Sequence, residues 1–193
     1  MRQRLYKSVQ ETLFEEVLPN GLTVRVLPKT NFNRTFAAFA TDYGGADRRF
    51  SLGGNWIDTP AGIAHYLEHK MFDLPGRDVM AEFSALGANP NAFTSYNLTA
   101  YYFSCTEHFQ ECLELLLTYV STPYFTQESV DQERGIICQE ILMYEDSPDS
   151  KGYEDLFQAM LRTHPGRVPI AGSVESVQAI TPEILRLCYD AFY

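Results

Sequence analysis

Hydrophobic and polar residues alternate along several short stretches, most of them in the first half of the chain. Alternation of this kind is typical of β-strands that bury one face. Turn sequences such as Pro19-Asn20-Gly21 and Gly44-Gly45-Ala46-Asp47 separate the stretches. The pattern predicts strands over residues 22–27, 35–43, 48–52, 91–95 and 99–105.

From Glu107 onward, apolar residues recur three and four positions apart, which is the period of an amphipathic helix. Thr59-Pro60, Thr126 and Thr181-Pro182 are typical helix starts, because Thr caps a helix N-terminus and Pro fits the first turn. The pattern predicts helices over residues 59–72, 78–86, 107–122, 127–145 and 153–162, and a last one from residue 181. This order indicates an α+β fold with two layers, a mostly antiparallel sheet and helices packed on one face.

Length, charge and composition narrow the class of protein. The 193 residues suit a single domain, which we expect to be C-terminally truncated because it stops at Ala191-Phe192-Tyr193 with no polar tail. A net charge of −10 argues against a nucleic-acid partner. The sequence has no signal peptide and no apolar run of about 20 residues, so we expect a cytoplasmic protein without a membrane partner. Four widely spaced cysteines favour reduced thiols.

The stretch His65-Tyr66-Leu67-Glu68-His69 carries candidate chemistry. Residues four apart lie on one face of a helix, so both imidazoles can reach one metal ion. Glu68 lies beside them and can take a proton from water next to the metal without being a ligand. The alternative is an ordinary polar helix face. The apolar neighbours favour a metal site, since such a cluster is costly to bury without a metal or hydrogen-bond partners.

A site with three protein ligands needs one more donor. His108 and His164 have the sequence context of surface residues. Glu140 is a better candidate, because it lies among apolar residues in the predicted helix 127–145. Glu133 is seven residues earlier, close to two turns, and therefore lies on the same face. A solvated charged stripe remains the alternative for Glu133 in particular.

These residues and several flanking segments resemble the insulinase/pitrilysin family of zinc peptidases, the inverzincins, which include the mitochondrial processing peptidases. The motif His-x-x-Glu-His is followed at a distance by Glu-x-x-x-x-x-x-Glu, as in that family. Residues 62–72 are similar to the family's active-site helix and residues 87–95 to its substrate-edge strand. Residues 19–22 and 171–177 also have counterparts. The motif Glu-His-Lys-x-Phe is most similar to the corresponding motif of a bacterial, cytoplasmic branch of the family.

The resemblance implies a role for each matching residue. It implies one zinc ion per chain, bound by His65, His69 and Glu140, with Glu68 as general base and Glu133 as a supporting catalytic residue. Asn91, Ala92 and Phe93 match the edge strand that holds an extended peptide substrate, since an open strand edge offers unpaired N–H and C=O groups. The family also implies a second homologous half-domain, in the same full-length chain or in a partner subunit.

Three functions are consistent with the sequence. The first is a zinc-dependent metalloendopeptidase, although this segment alone can be inactive if the second half is needed. The second is a non-catalytic subunit or scaffold of the same fold. The third keeps the metal but acts on a small molecule by hydrolysis or isomerisation. The intact motif favours the first.

Overall fold

A computed structural model describes residues 1–193, which divide into two compact units, residues 1–34 and 35–193. The strands are β1 (Arg2–Tyr6), β2 (Glu11–Val17), β3 (Thr23–Val26), β4 (Thr35–Thr41), β5 (Arg49–Leu52), β6 (Asn55–Asp58), β7 (Asp73–Leu74), β8 (Arg77–Asp78), β9 (Asn89–Thr94) and β10 (Thr99–Cys105). The helices are α1 (Ile63–Lys70), α2 (Val79–Ala85), α3 (Phe109–Val120), α4 (Gln127–Glu145), α5 (Pro148–Met160), α6 (Val174–Gln178) and α7 (Pro182–Phe192), with a 3-10 turn at Pro165–Arg167.

Every strand pair is antiparallel, and the fold is α+β as predicted. The first unit is a three-stranded sheet in the order β1-β2-β3. The second unit contains a sheet in the order β4-β10-β9 and the two hairpins β5-β6 and β7-β8. The prediction that residues 1–193 form one C-terminally truncated domain stays a prediction.

The sheet β4-β10-β9 has a buried face and an open face. Tyr101 and Phe103 of β10 are completely buried and belong to the hydrophobic core. Helices α1, α2 and α3 all contact this sheet. Side chains that alternate with the buried ones point the other way, and Phe36 and Phe93 are largely exposed there. Strand β9 pairs only with β10, so it forms an edge of this sheet.

The helix that carries the His-x-x-Glu-His motif starts later than predicted. Thr59 does not cap it, because its N–H and hydroxyl both bond to the Arg48 carbonyl and extend the β5-β6 hairpin. Helix α1 instead begins after Gly62, whose φ of 90° suits glycine. A Cβ atom at Gly62 would lie only 2.4 Å from the Ala171 carbonyl oxygen. Close packing against residue 171 therefore sets where α1 begins.

Several other elements differ from the sequence prediction. Strands β1, β2, β6, β7 and β8 and the short helix α6 were not predicted, and α5 begins at Pro148 rather than at residue 153. Ser147 caps α5, so the sequence Ser-Pro that follows α4 both separates the two helices and starts the second one. Thr126 and Thr181 cap α4 and α7 as predicted. None of the helices combines the length and the apolar character that a membrane span requires.

Candidate metal centre

Two crossing helices form the site. Helix α1 carries His65, Glu68 and His69, and α4 packs against it. The Tyr66 hydroxyl is buried and donates to the Val130 carbonyl on α4. This hydrogen bond fixes the position of α1 along α4. Leu67 is fully buried on the core side of α1, so the histidines lie on the side that faces α4.

The structure brings His65, His69 and Glu140 together, with one ligand atom from each within 4.8 Å of the others. Nε2 of His65 lies 3.7 Å from Oε2 of Glu140, and Nε2 of His69 lies 3.4 Å from the same oxygen. Ligands of a tetrahedral zinc ion at about 2.1 Å are about 3.4 Å apart, so this spacing fits zinc. Two imidazoles and one carboxylate are also a known ligand set of catalytic zinc.

The second ring nitrogens of the two histidines have different surroundings. Nδ1 of His69 lies 2.9 Å from Oε1 of Glu133. A carboxylate in this position fixes the ring orientation and leaves Nε2 for a metal. Nδ1 of His65 is buried and has no hydrogen-bond partner. Glu133 therefore contacts a candidate ligand instead of lying on a solvated stripe, and its supporting role stays a prediction.

Burial and neighbouring charges act in opposite directions on the pKa values of the three candidate ligands. Burial lowers the pKa of His65 to about 4, and the neighbouring His69 contributes to the shift. Burial also opposes the charged form of His69, but hydrogen bonds to Glu133 and Glu140 outweigh it and raise the pKa to about 9. The hydrogen bond from His69 lowers the pKa of Glu140 to about 2. Before metal binding, these shifts favour a neutral His65, a protonated His69 and an ionised Glu140.

Zinc binding is expected to tighten about tenfold per pH unit between about pH 6 and pH 8. A histidine that binds zinc must be neutral, and the raised pKa of about 9 favours the protonated form of His69 before metal binding. Binding therefore releases one proton, and lowering the pH opposes it, whereas His65 is already neutral in this range. Chelator competition at several pH values measures the slope. A zinc affinity that does not change with pH would contradict this protonation scheme.

The carboxylate of Glu68 lies beside the three donors but has its own partner. Glu68 is only 9% exposed, and this burial raises its pKa, with the Glu140 carboxylate adding to the effect. The Thr94 hydroxyl donates to Oε2 of Glu68 at 2.5 Å and opposes the shift. A carboxylate with a raised pKa is a better proton acceptor near neutral pH than an ordinary one.

Two residues at the centre were missed by the sequence reasoning. Thr94 contacts Glu68, as described, and the Tyr144 hydroxyl donates to Oε1 of Glu140 at 2.6 Å. Tyr144 follows Glu140 by four residues on α4, so helical spacing could have revealed it. Its bond leaves Oε2 of Glu140 directed at the two histidines.

The predicted substrate residues lie in the edge strand β9, which contacts α1. Phe93 is 46% exposed, and Asn91 is also exposed. The Ala92 N–H donates to the side-chain oxygen of Asn91 at 2.8 Å. Strand β9 thus leaves one edge without a partner strand where it contacts α1, although the Ala92 N–H is bonded to the Asn91 side chain, and its use by a substrate stays a prediction.

The remaining histidines and the cysteines lie elsewhere. His108 is exposed and pairs with Glu111, and His164 is exposed and accepts a bond from the Gly166 N–H. All four cysteines are free; Cys105, Cys112 and Cys188 are buried and Cys138 is partly buried. None of these residues belongs to the donor group.

A His–His–Glu group lies between two helices, in an α+β unit with an open sheet edge, and this donor set is one that catalytic zinc centres use. Residues 53–173 match the insulinase family, peptidase family M16. The chain belongs to this family, as the sequence motifs predicted.

The chain matches part of the length of its relatives. The uncharacterized zinc protease YmfH of Bacillus subtilis is 50% identical over 190 residues, which are 97% of this chain and 44% of YmfH. A protein of Alicyclobacillus acidocaldarius, described as an M16-like peptidase, has a crystal structure with a TM-score of 0.91 and 48% identity, over 95% of this chain and 43% of that chain. The chain thus spans less than half the length of these relatives.

The fold also occurs without activity. An inactive peptidase M16 domain from Pseudomonas fluorescens has a TM-score of 0.77 and 16% identity, over 92% of this chain and 42% of that chain. At this identity the likeness concerns the fold alone. Activity in this fold therefore depends on the side chains of the centre.

Proposed function

We propose that the chain is the catalytic part of a zinc-dependent metalloendopeptidase with one zinc ion per chain. The observation that carries this proposal is the convergence of His65, His69 and Glu140 beside the buried carboxylate of Glu68. The donor spacing fits zinc, and the carboxylate is held next to the donors without being one of them.

Each residue has a proposed task in peptide hydrolysis. When bound, zinc would polarise the scissile carbonyl and make water more acidic. Glu68 would take the proton from the attacking water and pass it to the nitrogen of the leaving amine. Glu133 would hold the His69 ring through Nδ1, and Tyr144 would hold the Glu140 carboxylate through Oε1.

We propose that the substrate is a peptide in extended conformation. Strand β9 has one open edge and contacts the helix that carries the histidines. A peptide that adds to this edge as a further strand binds mainly through its backbone, with little dependence on sequence. Asn91, Ala92 and Phe93 would supply that edge.

A second homologous half-domain is the proposed partner, either downstream in the same polypeptide or in another subunit. The chain covers only 44% of YmfH and 43% of the Alicyclobacillus protein, so more than half of each relative is uncovered, which is long enough for a second half-domain. In such an arrangement the second half would close over the peptide and exclude water.

For the full-length, zinc-loaded polypeptide, kcat/KM is expected to rise with peptide length until the six residues of β9 are covered. Each additional residue adds backbone hydrogen bonds along the edge. Internally quenched peptides of increasing length, assayed with zinc and after chelation, measure the effect.

Chelation should abolish hydrolysis, and added zinc should restore it. The length series also separates the endopeptidase from an enzyme that acts on small molecules. Equal turnover of a dipeptide and a decapeptide would contradict the strand-addition model and favour the small-molecule alternative.

A further inference from the structure

Thr94 connects the substrate-edge strand to the proposed general base. It is the last residue of β9, and its hydroxyl donates to Oε2 of Glu68 on α1 at 2.5 Å. The two residues are 26 positions apart in sequence, so the contact exists only because β9 lies against α1. Thr94 is partly buried, and Glu68 is 9% exposed, which limits the competition from water for this hydrogen bond.

The hydroxyl proton of Thr94 is available to Glu68. The only other side-chain hydrogen-bond partner of the Thr94 hydroxyl is Thr99, at 3.3 Å across the β9-β10 pair. The Thr99 hydroxyl lies 2.8 Å from the Tyr43 carbonyl, which can only accept, so its proton is directed there. Since a hydroxyl has one proton, Thr94 is free to donate to the carboxylate.

We propose that Thr94 is a positioning residue that fixes the Glu68 carboxylate through Oε2, so that Oε1 is the oxygen that exchanges the proton. This inference rests on the proposed function, because it assigns Thr94 a part in the same reaction. A buried carboxylate without this bond would be free to rotate, and misplacement of a catalytic group by about 1 Å can cost about 100-fold in rate.

Thr94 also connects the proposed substrate-binding strand β9 to the proposed general base Glu68. Asn91, Ala92 and Phe93 precede Thr94 in the same strand. A peptide that pairs along the open edge would order β9, and with it the hydroxyl that holds Glu68. Thr94 should therefore affect kcat rather than KM, because its side chain contacts the base and not the peptide backbone.

The test compares Thr94→Val with Thr94→Ser in the full-length, zinc-loaded polypeptide. Valine keeps the shape of threonine and favours a strand at least as well, so the fold is expected to persist. We expect T94V to lower kcat for an internally quenched decapeptide by about 10- to 100-fold, with KM and zinc content unchanged. T94S should recover most of the loss. T35V on β4 of the same sheet is the matched control, with kcat within about twofold of wild type.

A second measurement does not need activity. Crystal structures of the zinc-loaded wild type and T94V should show one Glu68 conformer, bonded to Thr94, in the former and several conformers in the latter. A kcat of T94V within about twofold of wild type, or an ordered Glu68 that does not contact the Thr94 hydroxyl, would overturn the inference. A wild-type protein that binds zinc but cleaves no peptide contradicts the proposed function instead, and the crystal structures then still decide the role of Thr94.

Discussion

Replacing Glu68 with glutamine is expected to lower kcat for peptide hydrolysis by about 10²- to 10⁴-fold while the bound zinc stays in place. Glutamine has nearly the same shape as glutamate and can keep the hydrogen bond from Thr94 to its side-chain oxygen. It cannot accept a proton from water. Because Glu68 is not one of the three converging donors, zinc content should be unchanged. Steady-state kinetics and metal analysis of the same preparation measure both quantities.

The matched control is Glu107→Gln, which removes one negative charge from an exposed residue outside the centre. Its kcat should equal that of the wild type, because an exposed charge has little effect on distant chemistry. Loss of zinc in E68Q would mean that Glu68 is a ligand. Full activity in E68Q would exclude it as the base and would point to water activation by another group.

The candidate metal centre could be predicted from sequence because its geometry is mostly local. His65 and His69 are one helical turn apart, and Glu133 and Glu140 are almost two turns apart on a single helix. The approach of α4 to α1 is not local, and the family resemblance implied it only through the ligand set His65, His69 and Glu140. The structure then places His65, His69 and Glu140 around one point, and Glu133 lies against the other ring nitrogen of His69.

The contacts that support the centre could not be predicted in the same way. The hydrogen bond between Thr94 and Glu68 depends on how β9 lies against α1. The hydrophobic periodicity within either segment does not predict the distance between these two side chains. The start of α1 was wrong for a similar reason. Thr59-Pro60 has the local chemistry of a helix start, but a hairpin contact to Arg48 and the packing of Gly62 against Ala171 decide otherwise. Tertiary contacts here override local propensity.

Removing a single histidine ligand is expected to distinguish the enzyme hypothesis from the scaffold hypothesis. His65→Ala should weaken zinc binding by more than about 100-fold, since even the loss of a residue that only supports a ligand costs 10- to 100-fold. Peptide hydrolysis should disappear in parallel with the metal. The fold should persist, because the neighbouring core residues Ile63, Ala64 and Leu67 of α1 are untouched. Zinc content, activity and circular dichroism of the full-length polypeptide measure these three quantities.

His108→Ala is the matched control, since His108 is exposed, lies outside the donor group and pairs only with Glu111. It should retain both zinc and activity. If the protein were a scaffold, H65A would bind partners as well as the wild type does, because partner binding does not use the metal chemistry. The inactive domain from Pseudomonas fluorescens shows that the fold can exist without catalysis. A chain that keeps three converging donors, a carboxylate held beside them and an open strand edge is therefore best tested by whether metal and turnover are lost together.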